Sequence, residues 1–161
     1  IKGIAKLDER MELKTPSIKG IAAIQASDIM VFDSETFREL AKTFMFKSKE
    51  KNPIESLNVE MIISDSKLEL LPSFLAIDRY ELAVGGIQKM DMSYDYHISV
   101  LKSPIPFKTG VDVTGNDFDD YNINLSKAKY KFYFTDKARL QKKADSSVIK
   151  KKAAVLKFLD F

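Results

Sequence analysis

Alternate polar side chains between Asp91 and Ser99 carry the chemical groups of this sequence that are best suited to catalysis. Two acids, Asp91 and Asp95, share the predicted strand face with Ser93 and with His97, the sole histidine of the chain. Carboxylates beside an imidazole are typical of general acid–base catalysis, but such a site also needs a shaped pocket and shifted pKa values. Polar residues are expected on the wet face of any strand. We therefore predict that the protein is not an enzyme and that His97 is an exposed imidazole with no catalytic or metal-binding role.

A second cluster of oxygen ligands lies in one short acidic stretch. It consists of Asn116, Asp117, Asp119 and Asp120. Calcium takes several oxygen ligands, so the composition is compatible with a calcium site. The spacing does not match the EF-hand loop, and turns are commonly rich in Asn and Asp. We expect a solvated turn here and no bound metal or cofactor.

The opposite face of the segment that contains His97 is apolar. From Met90 to Val100 every second residue is apolar, and a period of two over this length predicts a strand with one apolar and one wet face. The same alternation predicts strands over 57–63, 67–71 and 121–125, and again from Tyr130 to Phe134. Because apolar surface dominates the pattern, the functional question is what this surface contacts.

The period changes once, between residues 34 and 46. Phe37, Leu40, Ala41 and Phe44 follow the spacing of one helix face, which predicts an amphipathic helix. Elsewhere the turn signals are Ser64-Asp65-Ser66, the interruption at Pro72 and the pair Gly85-Gly86. Short turns favour an antiparallel meander, because parallel strands need long crossovers. We predict an α+β, mainly β fold with roughly eight to ten strands in one curved sheet.

Charge separates the chain into two regions. From Asp136 onward there are eight basic and three acidic residues, so this segment carries about +5, whereas the remainder is close to neutral. We therefore predict a β domain over 1–135 and a basic tail or C-terminal helix over 136–161. The sequence has no cysteine, which excludes disulfides and thiolate zinc sites. It begins with Ile and has no apolar run long enough for a membrane helix, and we expect it to be a piece of a longer protein.

The order of elements over residues 24–101 resembles the C-terminal region of the AsmA family of envelope proteins. A strand ending in Ser27-Asp28-Ile29 is followed by a short helix and a charged linker, then by further strands and a long strand with two tyrosines. The segments that carry the resemblance are Phe37-Arg38-Glu39-Leu40-Ala41, Ile54-Glu55-Ser56-Leu57-Asn58-Val59, Asp65-Ser66-Lys67-Leu68-Glu69-Leu70-Leu71-Pro72, Tyr80-Glu81-Leu82-Ala83-Val84-Gly85-Gly86, and Asp91 with Tyr94 and Tyr96. This covers about half of the chain.

The resemblance implies a periplasmic location, as part of a larger protein that is anchored in the inner membrane of a Gram-negative cell. It implies a role in outer-membrane biogenesis and phospholipid transport, through a sheet that curls into an open groove or half-barrel with an apolar interior. The partners would be a phospholipid or other acyl-chain lipid and neighbouring segments of the parent protein. The residues that we predict to face lipid are Tyr80, Leu82, Val84, Met90, Met92, Tyr94, Tyr96, Ile98, Val100, Tyr130, Phe132 and Phe134.

Other interpretations of the same residues stay open. The apolar strand faces would have the same pattern if they enclosed an ordinary core with the helix of residues 34–46 packed on it. Alternatively, the sheet could serve as a structural or protein-interaction module through its edge. The basic tail could contact a membrane surface through Lys150, Lys151 and Lys152. Nucleic-acid binding through that tail is a weaker option, because the body offers no companion basic patch, and we predict none.

Overall fold

A computed structural model describes most of the chain. The described residues are 1–30, 35–43, 53–77, 79–104, 109–117, 120–134 and the single positions 150, 153, 154 and 157. They form one open antiparallel sheet of eight strands whose spatial order follows the sequence. The strands are β1 (Lys2–Ile4), β2 (Lys19–Met30), β3 (Pro53–Ser64), β4 (Lys67–Ile77), β5 (Tyr80–Lys89), β6 (Tyr94–Lys102), β7 (Gly110–Gly115) and β8 (Tyr121–Ser126). One α-helix, α1 (Glu35–Thr43), lies between β2 and β3.

Tight turns explain the meander. Strands β3 and β4 are joined by Asp65 and Ser66 alone, and both residues have positive φ, 51° and 58°. Positive φ at both central positions is the signature of a two-residue hairpin turn whose twist matches that of the strands. The predicted mainly β, antiparallel architecture is therefore confirmed, and so is the predicted turn at Ser64-Asp65-Ser66.

The predicted strand from Met90 to Val100 is wrong at its start. Strand β6 begins at Tyr94, and Met90 and Met92 lie in the turn after β5. Met92 has a φ of 74°, and the Met92 amide donates a hydrogen bond to the Lys89 carbonyl oxygen across the turn. Met90 and Met92 continue the apolar alternation of β6 although they lie in the turn. A period of two does not distinguish a strand from the tight turn that leads into it.

Pro72 and the pair Gly85-Gly86 do not end strands, contrary to prediction. Strand β4 continues through Pro72, and the pairing of β4 with β5 shifts register between Leu70 and Ser73, which is a β-bulge. Both glycines lie inside β5. A Cβ on Gly85 would lie 3.1 Å from the Tyr130 ring, and one on Gly86 would lie 2.6 Å from the Tyr96 Cα. These glycines thus permit close approach by neighbouring groups and form no turn.

The alternating residues Tyr130, Phe132 and Phe134 do not form a strand either. The chain turns back after β8, and Lys131–Phe134 form a short 3-10 helix. This helix contacts β6. We call residues 129–134 the aromatic segment. Its position over the sheet shows that the spacing of these aromatic residues reflects a covering segment and not a ninth strand.

The sheet has one apolar face, and its opposite face, called the polar face below, is polar across β5–β8 but carries a second buried apolar cluster of Ile62 and Leu71, with Ile21 packed against them, across β2–β4. Residues directly opposite on neighbouring strands share a face, so the register defines rows that cross the sheet. One apolar row crosses seven strands through Ala22, Met61, Leu70, Gly86, Tyr96, Val113 and Ile123. The opposite face carries a polar row through Gly85, His97, Asp112 and Asn124. Both rows belong to one continuous sheet, so each face is wide.

Helix α1 lies on the apolar face. Ala41 of α1 is completely buried and belongs to the same core cluster as residues from four strands. The buried members of this cluster in the sheet are Ile77, Tyr80, Leu82, Ile98, Val100, Val111 and Val113. The predicted helix is thus confirmed over Glu35–Thr43, while the remaining positions of the predicted range 34–46 lie outside the described residues.

The predicted division at residue 135 falls mostly outside the described residues. Within the tail only Lys150, Ala153, Ala154 and Lys157 are described, and all four are helical and exposed. The C-terminal helix and the separate basic tail therefore stay predictions. None of the helices in the described ranges is both long enough and apolar enough to cross a bilayer.

Candidate functional site

The apolar face holds most of the residues that we predicted to contact lipid. Tyr80, Leu82, Ile98 and Val100 are buried in the cluster that includes Ala41 of α1. Val84 and Tyr94 are half-buried at the border of this cluster, and Tyr96 is half-buried beside Tyr94, with ring centroids 5.7 Å apart. The apolar face is thus filled by the protein's own side chains near α1 and is less covered toward the β5–β6 turn. Contact of these residues with lipid stays a prediction.

Five of the predicted residues lie elsewhere. Met90 and Met92 are exposed in the β5–β6 turn, with 41% and 44% of their surface accessible. Tyr130 and Phe134 cover the polar face, where Tyr130 lies on Gly85 and the Phe134 ring centroid is 6.2 Å from that of Phe74. Phe132, in the same segment, is 63% exposed. The sheet separates Tyr130 and Phe134 from the apolar side chains of β6, and Met90 and Met92 lie in the turn before that strand, so the structure does not bring all of the predicted residues to one surface.

Apolar surface remains accessible at the β8 edge of the apolar face. Leu125 is 66% exposed and lies directly opposite Val111, which is completely buried. Ile123 and Tyr121, on the same face of β8, are half-buried. An exposed Leu next to a buried Val indicates that the apolar face continues past the region that the core cluster covers.

The polar face contains a buried hydrogen-bonded cluster centred on His97. We call it the His97 cluster; its members are His97, Ser99, Asp112, Lys129 and Tyr130. The His97 Nδ1 atom lies 2.6 Å from the Asp112 Oδ1 atom, and the His97 Nε2 atom lies 2.9 Å from the Ser99 Oγ atom. His97 is 2% exposed, so the prediction of an exposed imidazole is wrong. The aromatic segment covers the imidazole, with the Tyr130 ring edge-on at 5.2 Å between centroids.

Two backbone amides of the aromatic segment complete the cluster. The Lys129 N–H donates to His97 Nε2 at 3.0 Å, and the Tyr130 N–H donates to Ser99 Oγ at 2.9 Å. An imidazole nitrogen that accepts an N–H bond carries no proton, so the neutral ring holds its proton on Nδ1 and donates it to Asp112. The Ser99 hydroxyl can then donate to His97 Nε2. Every polar atom of His97 and Ser99 is thereby used.

Asp112 is the charged anchor of the cluster. Partial burial raises the pKa of the Asp112 carboxyl, but hydrogen bonds from the Lys129 ammonium and from His97, and the Lys129 charge, outweigh this effect and lower the pKa to about 2. The Lys129 Nζ atom lies 2.8 Å from the Asp112 Oδ1 atom. Asp112 is therefore ionised over the physiological pH range and can hold the His97 Nδ1 proton and the Lys129 side chain together.

Ser99, His97 and Asp112 have the order of contacts found in a nucleophilic triad. However, Ser99 has no accessible surface, and its Oγ atom accepts the Tyr130 amide. A serine nucleophile must reach the substrate carbon from an open pocket. In this conformation the three side chains hold the aromatic segment on the sheet and present no nucleophile to solvent.

The acids that first suggested chemistry have local structural roles. Asp91 lies in the β5–β6 turn, where its Oδ1 atom accepts hydrogen bonds from the Ser93 amide at 2.9 Å and the Ser93 hydroxyl at 2.6 Å. These bonds lower the pKa of the Asp91 carboxyl. Asp95 alone of the two acids lies within β6. Asp91 and Asp95 therefore do not form a catalytic pair on one strand.

The acidic stretch after β7 is a turn with its own hydrogen bonds. The Asn116 side-chain amide donates to an Asp120 carboxylate oxygen at 2.8 Å, and the Asp120 amide donates to Asp117 at 2.7 Å. Asp119 lies outside the described residues. Among the residues that the structure describes, no group of three or more His, Cys, Asp or Glu side chains is arranged to hold a metal ion.

Open cavities lie on the polar side of the sheet. One, of about 580 Å³, lies near the β5–β6 and β7–β8 turns and is lined by residues that include Lys67, Ile87, Lys89, Asp95 and Asn122. A second cavity of about 270 Å³ lies against the His97 cluster. Ile87 lines both cavities and is 37% exposed. Polar side chains dominate both linings, so neither cavity resembles an acyl-chain pocket.

Sequence reasoning missed the His97 cluster because its partners are far apart in the chain. His97 and Asp112 meet only through the pairing register of β6 with β7, and Lys129 arrives only through the return of the chain after β8. A weak signal was present in the placement of Asp95, His97 and Ser99 at alternate positions. Nothing in that spacing predicts a covering segment.

Comparisons with known proteins add no assignment. The chain matches no protein-family model, no curated protein and no solved structure.

Proposed function

We propose that this chain is a non-enzymatic part of an AsmA-like envelope protein, and that the apolar face of its sheet shields acyl chains of phospholipids during transport between membranes. The observation that carries the proposal is the apolar face of the sheet, whose row across seven strands ends at Ile123 on β8, two residues before the exposed Leu125 on the same face. This chemistry fits the role that the sequence resemblance implies. The parent protein would be anchored in the inner membrane and would place this sheet in the periplasm.

The proposed mechanism is passive. When an acyl chain lies on the apolar face, the apolar surfaces of both the chain and the protein are removed from water. This burial contributes a free energy of about 25 cal/mol per Å² of apolar area. Near α1, the side chains of the apolar face are packed in the core cluster that contains Ala41. The lipid contacts would therefore lie toward β8 and toward Tyr94 and Tyr96. The tyrosine hydroxyls suit a rim where hydrocarbon meets water. No bond is made or broken in this function.

Substitution at the β8 edge tests the proposal. Leu125→Gln replaces an exposed apolar side chain on the apolar face, whereas Asn124→Gln changes an exposed side chain on the polar face of the same strand. A fluorescent phospholipid is titrated into both variants and the unchanged chain. Losing one Leu contact is expected to weaken binding up to about thirtyfold, because full burial of such a side chain is worth roughly 2 kcal/mol. Asn124→Gln is expected to bind like the unchanged chain.

Native mass spectrometry gives a second readout of the same proposal. The unchanged chain purified from a Gram-negative host is expected to carry phospholipid adducts, and a Tyr96→Asp variant is expected to carry fewer. Absence of lipid from the unchanged chain in both measurements, or equal binding by Leu125→Gln and Asn124→Gln, would count against lipid handling by this face.

A second candidate is an interaction module that joins neighbouring segments of the parent protein by strand pairing. The observation that favours it is the open sheet, in which β1 and β8 stand at the two edges of the described strands. Edge strands offer backbone hydrogen-bonding groups to another strand. Proline within β8 would remove a backbone donor of that strand. Successive N–H groups of a strand point to opposite sides, so Asn122 and Asn124 share one direction and Ile123 has the other. Of proline variants at Asn124 and Ile123, the one whose N–H points away from β7 is expected to abolish association with a parent segment, and the other is expected to weaken the pairing of β8 with β7.

Membrane contact by the basic tail is part of the same proposal. Lys150 is exposed, and together with Lys151 and Lys152 it would add roughly 1 kcal/mol per lysine near an anionic membrane. Binding to vesicles that contain anionic lipid should therefore fall when the three lysines are replaced by Gln, and it should fall with rising salt.

A further inference from the structure

We propose that His97 controls a pH-sensitive contact that holds the aromatic segment (residues 129–134) on the polar face of the sheet, and that protonation of His97 releases this segment. The inference concerns the face opposite to the one proposed to bind lipid, and it does not depend on lipid binding. It rests on the hydrogen-bond arrangement of the His97 cluster.

The aromatic segment is attached to the sheet through the neutral form of His97. His97 Nε2 accepts the Lys129 N–H at 3.0 Å and lies 2.9 Å from the Ser99 hydroxyl, so this nitrogen must present a lone pair. On its other side, His97 Nδ1 is held at 2.6 Å from Asp112. Gly110 leaves space for this ring position, since a Cβ there would lie 2.4 Å from the His97 Cε1 atom.

Protonation of the imidazole removes the acceptor on which this arrangement depends. The added proton occupies His97 Nε2, where it meets the Lys129 N–H, and two donors then face each other. Ser99 can reverse its hydroxyl to accept the new proton, but Lys129 has then lost its acceptor at that site. The Lys129 N–H, whose bond to His97 Nε2 is part-buried, then faces a second donor at that site and loses the free energy of its hydrogen bond. The backbone at Lys129 is therefore expected to leave the sheet.

Titratable and charged groups lie around His97 on β4, β6, β7 and the aromatic segment. The Asp112 carboxylate on β7 contacts His97 Nδ1 and is shared with the Lys129 ammonium at 2.8 Å. Asp95 on β6 and Glu69 on β4 line the same cavity as His97. Tyr130 covers the ring, and burial followed by the charges of Asp95, Asp112 and Glu69 raises the pKa of its hydroxyl, so it is neutral throughout the relevant range. The geometry makes a charged imidazole incompatible with the bound segment.

Aromatic contacts also hold the segment. Tyr130 lies over Gly85, Phe134 is 6.2 Å from Phe74, and Phe132 and Tyr133 are 63% and 39% exposed. The amide bond at Lys129 is the contact that requires a neutral imidazole, so its loss is expected to loosen the segment at residues 129 and 130. Its release would uncover Gly85 and the His97 cluster on the polar face.

The test uses the fact that the chain has a single histidine. Nuclear magnetic resonance of the full chain follows the imidazole nitrogens and the amide exchange of Lys129 and Tyr130 between pH 8 and pH 5, with exchange rates corrected for the intrinsic effect of pH. At high pH the ring is expected to be neutral with its proton on Nδ1. As His97 becomes protonated, protection of the two amides is expected to fall about tenfold, the equivalent of one hydrogen bond. Amides of β5 and β6 should keep their protection.

A variant that cannot be protonated serves as the control. His97→Phe removes the acceptor at every pH, so the Lys129 amide is expected to be unprotected at pH 8 and pH 5 alike. A second variant, Ser99→Ala, removes the acceptor of the Tyr130 amide and the hydroxyl beside His97 Nε2, but it keeps the imidazole acceptor and should leave a pH-dependent change at Lys129. The proposal would be overturned if His97 became protonated with Lys129 still protected, or if His97 stayed neutral until the whole sheet unfolded.

Discussion

Gly110 determines where the single imidazole of this protein can lie. It stands opposite Ser99 in the β6–β7 pairing, and a Cβ at this position would approach His97 Cε1 to 2.4 Å and His97 Nε2 to 2.7 Å. The side chain that would be displaced is buried and makes all of its hydrogen bonds within the His97 cluster. A methyl group at residue 110 therefore conflicts with the cluster and not with loose surface side chains.

Gly110→Ala is expected to destabilise the protein by about 1–3 kcal/mol, the usual cost of overpacking a closed site. The measurement is the free energy of unfolding from urea titration. Gly3→Ala is the matched control, because a Cβ on that strand glycine would lie 3.4 Å from its nearest neighbour, an ordinary contact. Equal stability of the two variants would show that His97 has room to move.

Asp112 gives stability that depends on pH. Its folded pKa of about 2 lies below the ordinary Asp value of 3.8, so the carboxylate stabilises the fold above pH 4, and this contribution is lost as the pH falls from about 4 to about 2. Asp112→Asn is expected to be less stable than the unchanged chain at pH 7 and to lose less stability over that acid range. Thermal unfolding followed by circular dichroism at several pH values measures this, and parallel curves for the two proteins would contradict it.

At the scale of elements, helix α1 closes one end of the apolar face. The helix contributes Ala41, which is completely buried, while Lys42, the next residue, is exposed and forms an ion pair with Glu39. The small side chain at residue 41 lets the helix backbone approach the sheet closely. The same helix therefore limits how far an acyl chain could extend along the apolar face.

Ala41→Gln is expected to destabilise the protein by about 2–3 kcal/mol, because it places a larger polar group in a closed apolar contact. Lys42→Gln introduces the same side chain at the neighbouring exposed position and is expected to change stability by less than about 0.5 kcal/mol. Urea unfolding of both variants measures the difference. If both variants kept the stability of the unchanged chain, this would contradict the close packing of Ala41 of α1 against the sheet.

At the scale of the whole molecule, each strand pairs only with its neighbours in sequence. Strand β1 has three residues, of which two are exposed and one is half-buried, whereas β7 contributes completely buried core at Val111. Stability should therefore be unevenly distributed along the sheet, with little of it supplied by β1.

Deletion of residues 1–14 is expected to leave a folded sheet with a melting temperature lowered by about 4 °C, which corresponds to about 1 kcal/mol. Deletion of residues 121–161 removes β8 and the aromatic segment, exposes Val111 and His97, and is expected to abolish cooperative unfolding. Differential scanning calorimetry compares the two truncated chains. A larger loss from the first deletion than from the second would contradict this distribution.

Local patterns in the sequence determined the elements and their order. Alternation of apolar residues determined the strands, the spacing around Ala41 determined the helix, and the turn at Asp65 and Ser66 determined that neighbouring strands run antiparallel. These features depend on residues that are close in the chain, where periodicity and backbone preference act directly. The prediction of a turn at Gly85 and Gly86 was wrong, because a glycine that permits close approach has the same sequence signal as a glycine in a turn.

Only the tertiary structure decided what covers each face. The apolar face is partly closed by α1, and the polar face is covered by a returning aromatic segment that buries His97 against Ser99 and Asp112. Both outcomes depend on pairing register and on where the chain goes after β8, which are set by contacts between residues that are distant in sequence. A period of two indicates which residues share a face of a strand. It does not indicate which segment, ligand or solvent contacts that face.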